Sequence, residues 1–105
     1  MASTAAAPYY QKQFLDAVDS SDATRLRRLL EERLTTVNID VYNPDGQTAL
    51  HQSCSAGNLE LVKLLVCHGA DVRLANRDGW SALHIAVYGG HRHIVRYLID
   101  AAHRR

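Results

Sequence analysis

Apolar residues recur along this chain in helical stretches that repeat after 33 residues. In two stretches they occupy positions i, i+1, i+4 and i+5, the spacing of one buried helix face. These positions are Leu61, Val62, Leu65 and Val66, and then Ile94, Val95, Leu98 and Ile99. A shorter stretch precedes each of these two, and its leucine, Leu50 in the first case and Leu83 in the second, is expected to face the core. The pattern predicts four helices, at about 49–55, 59–67, 82–88 and 92–101.

Polar turn segments separate these helices and repeat with the same offset. The segments are Asn43-Pro44-Asp45-Gly46 and Asn76-Arg77-Asp78-Gly79, in which glycine readily adopts a positive φ. Thr48 and Ser81 follow them as predicted N-caps, because a hydroxyl accepts a hydrogen bond from a free backbone N–H of the helix. Further glycines are predicted at the ends of helices, at Gly57, Gly69 and Gly90.

A third, less regular copy precedes these two. Its apolar positions match the middle copy at an offset of 36 residues, and they are Phe14, Ala17, Val18, Leu26, Leu29 and Leu30. The larger offset indicates about three extra residues between Glu31 and Thr36. Residues 1–8 show no apolar periodicity, which predicts a disordered tail. We therefore expect one domain at 9–105, with repeats at about 9–42, 43–75 and 76–105.

The repeated segments Thr48-Ala49-Leu50-His51 and Ser81-Ala82-Leu83-His84 identify the type of repeat. With the 33-residue period they resemble the ankyrin repeat, a β-turn followed by two antiparallel helices. We predict an all-α fold, an ankyrin solenoid of three helix-turn-helix repeats with short β-turn fingers. His51 and His84 are predicted to tie each finger to its helix by a hydrogen bond. Such stacks offer extended surfaces to other macromolecules, so a protein-binding module is predicted.

The charge of the chain is balanced overall but uneven along its length. A net charge of +1 gives no whole-chain field for nucleic acid or a membrane. From Arg73 onward, however, two acids stand against six arginines, which are Arg73, Arg77, Arg92, Arg96, Arg104 and Arg105. A solvated face and a site for an acidic partner both fit this excess.

Two cysteines, Cys54 and Cys67, are too few for a disulfide framework, and Cys54 occupies a small, buried position of the repeat. Residues 1–8 lack a charged region followed by a long apolar run, so we expect no signal peptide. No stretch approaches the roughly 18 apolar residues of a membrane span. These features favour an intracellular protein.

Motifs of catalysis and metal binding are missing from the sequence, which contains no phosphate loop, nucleophile elbow, HExxH or Cys-x-x-Cys. His51 and Cys54 lie one helical turn apart, and His91 and His93 flank Arg92. Zinc needs about four converging ligands, and neither group supplies them. We predict a protein that is not an enzyme, with no catalytic residue, metal or cofactor.

Departures from the repeat pattern mark the candidate protein-binding residues. Trp80 replaces Gln47 on an exposed turn, where tryptophan is typical of binding hot spots, unless it folds over the neighbouring finger. The other candidates are Val87, Tyr88, Arg92, Tyr97 and Arg77. Terminal repeats normally have a polar outer face. An apolar outer face here predicts a docking site for another protein, most simply a second ankyrin stack joined end to end.

Residues 57–66 and 74–86 resemble the family of small, three-repeat, Notch-regulated ankyrin proteins, most specifically at Asn76-Arg77-Asp78-Gly79-Trp80-Ser81. The resemblance implies a negative-feedback regulator that docks on the Notch intracellular domain and its CSL-type DNA-binding factor by extending the Notch ankyrin stack. It also implies a location in the nucleus and cytoplasm and a link to Wnt signalling through LEF-type factors. Trp80 and Val87 match the positions expected against the Notch stack. Candidates for contacting the DNA-binding factor are Arg25, Arg27, Arg28 and Arg33.

Two other functions are open on the sequence. One is a generic intracellular adaptor that binds an unrelated protein through its concave fingers. The other is direct nucleic-acid binding through the basic C-terminal end, although the chain lacks a series of aromatic residues interleaved with Lys and Arg.

Overall fold

The computed structural model describes residues 2–32 and 37–103, which form three antiparallel helix pairs stacked side by side. The six helices in these ranges are α1 (Ala2–Asp19), α2 (Ala23–Glu31), α3 (Ala49–Ala56), α4 (Leu59–Cys67), α5 (Ala82–Tyr88) and α6 (Arg92–His103). Ala75 and Ser81 form an isolated antiparallel bridge at the base of the finger before α5. The predicted all-α solenoid of helix-turn-helix repeats with β-turn fingers is confirmed.

Helix α1 differs from the sequence prediction at its N-terminal end. The disordered tail was predicted for residues 1–8, whereas α1 begins at Ala2, and Met1 lies outside the described residues. Four of the seven residues from Ala2 to Pro8 are alanine, the strongest helix former. Apolar periodicity detects a face to bury but not this intrinsic propensity. The predicted longer connection between Glu31 and Thr36 includes residues 33–36, which lie outside the described residues.

Local hydrogen bonds set the helix boundaries. The Thr48 and Ser81 hydroxyls accept hydrogen bonds from the backbone N–H groups of His51 and His84, each at 3.3 Å, so both predicted N-caps are confirmed. Helix α3 ends at Gly57, whose φ of 73° is a left-handed conformation that a residue with a Cβ disfavours. These signals lie within a few residues of each boundary, which is why the sequence alone could locate them.

A continuous apolar core runs through the three helix pairs. Its buried members include Phe14, Ala17, Val18, Leu26, Leu50, Cys54, Leu61, Val62, Leu65, Ala86, Ile94 and Leu98. Because one helix pair cannot bury its own apolar face, each repeat depends on its neighbour for burial. The degenerate first copy contributes buried residues from both of its helices and is therefore part of the stack. Among the described helices, none is both long and apolar enough to cross a membrane.

Candidate protein-binding site

His51 joins the second repeat to the third. Its Nδ1 lies 3.2 Å from the Thr48 nitrogen and 2.8 Å from Thr48 Oγ1, and its Nε2 lies 3.1 Å from the carbonyl oxygens of both Leu74 and Trp80. Since the Thr48 backbone N–H can only donate, Nδ1 accepts, and the proton of the neutral ring lies on Nε2. Nε2–H then donates to the two carbonyls of the next finger. The predicted hydrogen bond between finger and helix is confirmed by the contact of Thr48 with Nδ1. The contact of Nε2 with the Trp80 carbonyl, which was not predicted, crosses between repeats.

Burial makes His51 sensitive to pH. It lowers the pKa of His51 below its ordinary value of 6.5, while the backbone carbonyls of Leu74 and Trp80 act in the opposite direction. A lowered pKa in the folded state means that the unfolded chain takes up the proton first as the pH falls. The contribution of His51 to stability is therefore complete above about pH 6.5 and is lost progressively below that value.

We expect the free energy of unfolding, measured by urea titration, to fall between about pH 7.5 and pH 5.5. The reason is that the unfolded chain binds a proton at His51 more readily than the folded chain does. The variant His51→Gln is the control. Glutamine at this position completes a capping box with Thr48 but does not titrate. Its stability should therefore depend less on pH than that of the wild type. Equal pH dependences in the two proteins would contradict this account of His51.

The third repeat leaves open a surface whose equivalent in the second repeat is buried or half-buried. We call this surface the end face, and it consists of His84, Val87, Val95 and Ile99. At the 33-residue offset these residues correspond to His51, Cys54, Val62 and Val66. The side chain of Val87 is 59% exposed, whereas Cys54 is fully buried. The end face is thus an interface surface of a repeat stack that no described residue covers.

Ile99 corrects one sequence prediction. The helical spacing predicts that Ile99 is buried with Ile94 and Leu98, but its side chain is 41% exposed. Spacing identifies the apolar face of a helix without indicating whether a neighbouring repeat covers its outer edge. Val66, the equivalent residue of the second repeat, packs against the core because the third repeat lies beside it.

A groove of about 550 Å³ runs along the end face between α5 and α6. Its apolar lining includes Val87, Val95 and Ile99, and its charged lining includes Arg92, Arg96 and Asp100. An apolar centre with a polar, charged rim is the usual anatomy of a protein–protein interface. Of the candidate residues named from the sequence, the structure brings Val87 and Arg92 together here.

Trp80 and Tyr88 lie together on the neighbouring concave side of the stack. Their ring centroids are 5.6 Å apart in an edge-to-face arrangement, and the Trp80 ring also packs edge-on to His84 at 6.3 Å. Trp80 therefore packs against two side chains of helix α5. It is still 41% exposed, and Tyr88 is 84% exposed. Both remain accessible to a partner.

Arg77 and Tyr97, the other candidates, lie against the second repeat. The backbone N–H of Arg77 donates to the Gly46 carbonyl at 2.9 Å, and its guanidinium donates to the Pro44 carbonyl. Tyr97 places its hydroxyl 3.8 Å from the Cys67 sulfur. A departure from the repeat pattern does not show whether a side chain points outward or towards the preceding repeat. The binding role of these two residues stays a prediction.

Sequence reasoning missed His84, Val95 and Ile99 as members of an exposed binding surface. The signal that finds them is the offset itself. Each residue of the second repeat that the third repeat covers has a counterpart 33 positions later, and that counterpart belongs to the end face. Residues that depart from the repeat pattern therefore identified only part of the end face, because His84, Val95 and Ile99 follow the pattern and still belong to it.

The cysteines and histidines show no assembled reactive centre in the part of the chain that the structure describes. Burial raises the pKa of Cys54 to about 12, which suppresses the reactive thiolate. Cys67 is exposed rather than buried in the core. Within residues 2–32 and 37–103, no three His, Cys, Asp or Glu side chains are grouped so that they could hold a metal ion.

Comparison with known proteins agrees with the observed architecture. The family model for ankyrin repeats (three copies) matches residues 14–104. The chain is 56% identical to the Notch-regulated ankyrin repeat-containing proteins of Homo sapiens and Xenopus tropicalis, over 95% of this chain and 89% of each relative. It is 43% identical to protein phosphatase 1 regulatory subunit 27 of Mus musculus, over 82% of this chain and 54% of that protein. The chain therefore belongs to the ankyrin repeat proteins and, among them, to the family of Notch-regulated ankyrin repeat-containing proteins.

Proposed function

We propose that this chain is a negative-feedback regulator of Notch signalling that acts by binding protein and not by catalysis. It docks on the complex of the Notch intracellular domain and a CSL-type DNA-binding factor by adding its own repeats to the Notch ankyrin stack. The observation that carries this proposal is the exposed end face, where Val87 and Ile99 stand uncovered. The similarity to the Notch-regulated relatives supports the choice of pathway.

An ankyrin repeat is the occupant that fits the end face, because the chain already builds the same interface internally. Cys54 and Val62 occupy the equivalent positions and are fully buried in the stack. Gln47, the counterpart of Trp80, accepts a hydrogen bond from Asn76 of the following finger at 3.2 Å. A repeat docked in the same register would thus cover Val87 and meet Trp80. The apolar area covered contributes about 25 cal/mol per Å².

The charged residues around the end face indicate which charge the partner should carry around its own apolar face. Arg92 and Arg96 line the groove, with Asp100 as the acid among its lining residues. A partner repeat with acidic residues around its apolar face would complement this rim and speed association. The rim adds specificity to the apolar contact.

Helix α2 carries the proposed contact with the CSL-type factor. Two of its arginines are engaged within the chain, since Arg25 donates to Gln13 and Arg27 lies 3.8 Å from Glu60. Arg28 is exposed on the same helix and lines a shallow groove. We favour Arg28 for this role, while Arg33 lies outside the described residues. We place this action in the nucleus, with a cytoplasmic pool, and extend it to LEF-type factors of Wnt signalling.

An adaptor for an unrelated protein is the second candidate, and the concave surface favours it. A groove of about 600 Å³ there is lined by Gln52, Asn76, Trp80 and Tyr88 among others. An extended segment with polar backbone groups and an apolar side chain could lie in it. Such a partner would contact Tyr88 and leave the end face open.

A titration separates these two functions. The wild-type chain would be titrated onto the Notch ankyrin domain alone, the CSL-type factor on DNA alone, and the assembled complex. We expect the tightest binding with the assembled complex, because the two proposed surfaces are then engaged together. The variant Tyr88→Ala should bind within about twofold of wild type, since its counterpart Ser55 is exposed within the stack. Absence of binding to all three would reject the proposal and leave the adaptor, whereas a loss of binding in Tyr88→Ala would mean that the Notch complex contacts the concave surface rather than the end face.

A further inference from the structure

We propose that His84 recognises the incoming ankyrin repeat through two backbone carbonyls of its first finger, so that docking requires the neutral form of His84. The inference rests on the proposed end-on docking. Beyond that docking, it assigns His84 as the residue that contacts the partner, backbone carbonyls as the groups that it binds, and protonation of His84 as a way to weaken the interaction.

The ring of His84 is already held in the geometry that His51 uses. Its Nδ1 lies 3.3 Å from the Ser81 nitrogen and 2.8 Å from Ser81 Oγ, against 3.2 Å and 2.8 Å for the same pair of contacts at His51. The Ser81 backbone N–H can only donate, so Nδ1 accepts and the proton of the neutral ring lies on Nε2. The capping box thus fixes both the orientation and the tautomer of His84 before any partner arrives.

The difference between the two histidines lies at Nε2. At His51 this atom donates to the carbonyls of Leu74 and Trp80, which flank the finger of the third repeat. At His84 no hydrogen bond from Nε2 is formed with any described residue, and the side chain is exposed. His84 therefore presents a positioned donor at the place where the next finger would supply two acceptors.

The chemistry of the acceptors indicates what kind of partner this donor selects. His51 Nε2 contacts the backbone oxygens of Leu74 and Trp80, so this contact does not depend on their side chains. The two oxygens converge because the chain reverses between them, through the turn that contains Gly79. Any β-turn finger of an ankyrin stack offers this pair, whereas a helix uses its carbonyls internally except at its C-terminal end. His84 thus favours the first finger of a second ankyrin stack.

Protonation of His84 opposes docking in two ways. A proton on Nδ1 would face the Ser81 N–H, so that two donors meet and the half of the capping box formed by the ring is lost. Docking would also bury the resulting charge, which is unfavourable without a partner of opposite charge. Helix α5 packs against α3 and α6, and no described salt bridge involves His84. The other titratable or charged side chains of these elements and of the finger before α5 are Tyr88 on α5, Arg77 and Asp78 in the finger, His51 and Cys54 on α3, and Arg92, His93, Arg96, Tyr97, Asp100 and His103 on α6.

The sign of the pH effect follows from the state that docking requires. A neutral His84 in the complex means that docking releases a proton whenever the free protein carries one on this ring. Affinity should then fall as the pH is lowered. For one linked proton the fall is at most about tenfold per pH unit.

The experiment measures Kd for the assembled Notch and CSL-type complex between about pH 7.5 and pH 5.5, for the wild type, His84→Gln and His93→Gln. Glutamine at position 84 keeps a capping box with Ser81, so α5 should begin normally, which a thermal melt would check. We expect His84→Gln to bind about tenfold more weakly at pH 7.5 and to have a flatter pH profile, because a neutral amide does not titrate. His93 is exposed and lies outside the residues that line the end-face groove, so His93→Gln should behave as wild type.

A second measurement does not depend on any variant. Calorimetric titrations of the wild type across the same pH range, in buffers with different heats of ionisation, should show that docking releases protons, at most one per docking event from His84. No release in the wild type, or an unchanged affinity and pH profile in His84→Gln, would overturn the inference and leave the proposed docking intact. No binding by the wild type at any pH would overturn both.

Discussion

Replacing His51 with alanine is expected to lower the free energy of unfolding by about 3–5 kcal/mol, whereas the same change at His84 should cost only about 1 kcal/mol. Both substitutions remove the side-chain half of a capping box, whose contact distances agree within 0.1 Å at the two positions. Only His51 also donates to the Leu74 and Trp80 carbonyls, and its side chain is 1% exposed. Its loss leaves these carbonyls without their buried donor and opens a cavity between two repeats.

Urea titrations of the wild type and both variants at about pH 7.5 measure this difference, with far-ultraviolet circular dichroism as the signal. The two variants lose equivalent capping contacts. The additional loss of unfolding free energy in His51→Ala therefore measures the contacts between the second and third repeats. Similar losses in the two variants would mean that the cap alone accounts for the stabilisation. The crossing bonds would then contribute little to the stack.

The helices and turns of the second and third repeats were predictable because their signals are local. Thr48 and Ser81 begin helices through bonds to residues three positions later, and Gly57 ends one through its own φ of 73°. The 33-residue period then placed these units in a stack. The same reasoning located the first repeat through Phe14 and Leu26, both fully buried.

The parts that the sequence did not predict depend on which neighbour covers a residue. Ile99 has the spacing of a buried residue, yet it is 41% exposed because burial at that edge requires another repeat. Arg77 departs from the pattern as a surface residue would, yet it bonds to the finger of the second repeat. Helix α1 begins early because alanine has a high helix propensity, and apolar periodicity does not detect that propensity.

Replacing Val87 with glutamate is expected to weaken docking on the Notch complex at least about 100-fold, with little change in the stability of the free protein. Val87 is 59% exposed, so a carboxylate at this position stays solvated in the unbound chain. A docked repeat would enclose the position as the stack encloses Cys54, which is fully buried. An unpaired carboxylate buried there costs several kcal/mol, and each 1.4 kcal/mol is a factor of about ten in affinity.

Tyr9→Glu is the matched control, because Tyr9 is 60% exposed and lies on α1 at the opposite end of the stack. It introduces the same charge in place of an equally exposed apolar side chain, so it should bind within about twofold of wild type. Equilibrium titrations of both variants, with thermal melts to confirm folding, would show which end docks. A loss at Tyr9→Glu with none at Val87→Glu would reverse the direction of the proposed stack. The first repeat would then be the docking unit, and the exposed residues of the third would need another partner.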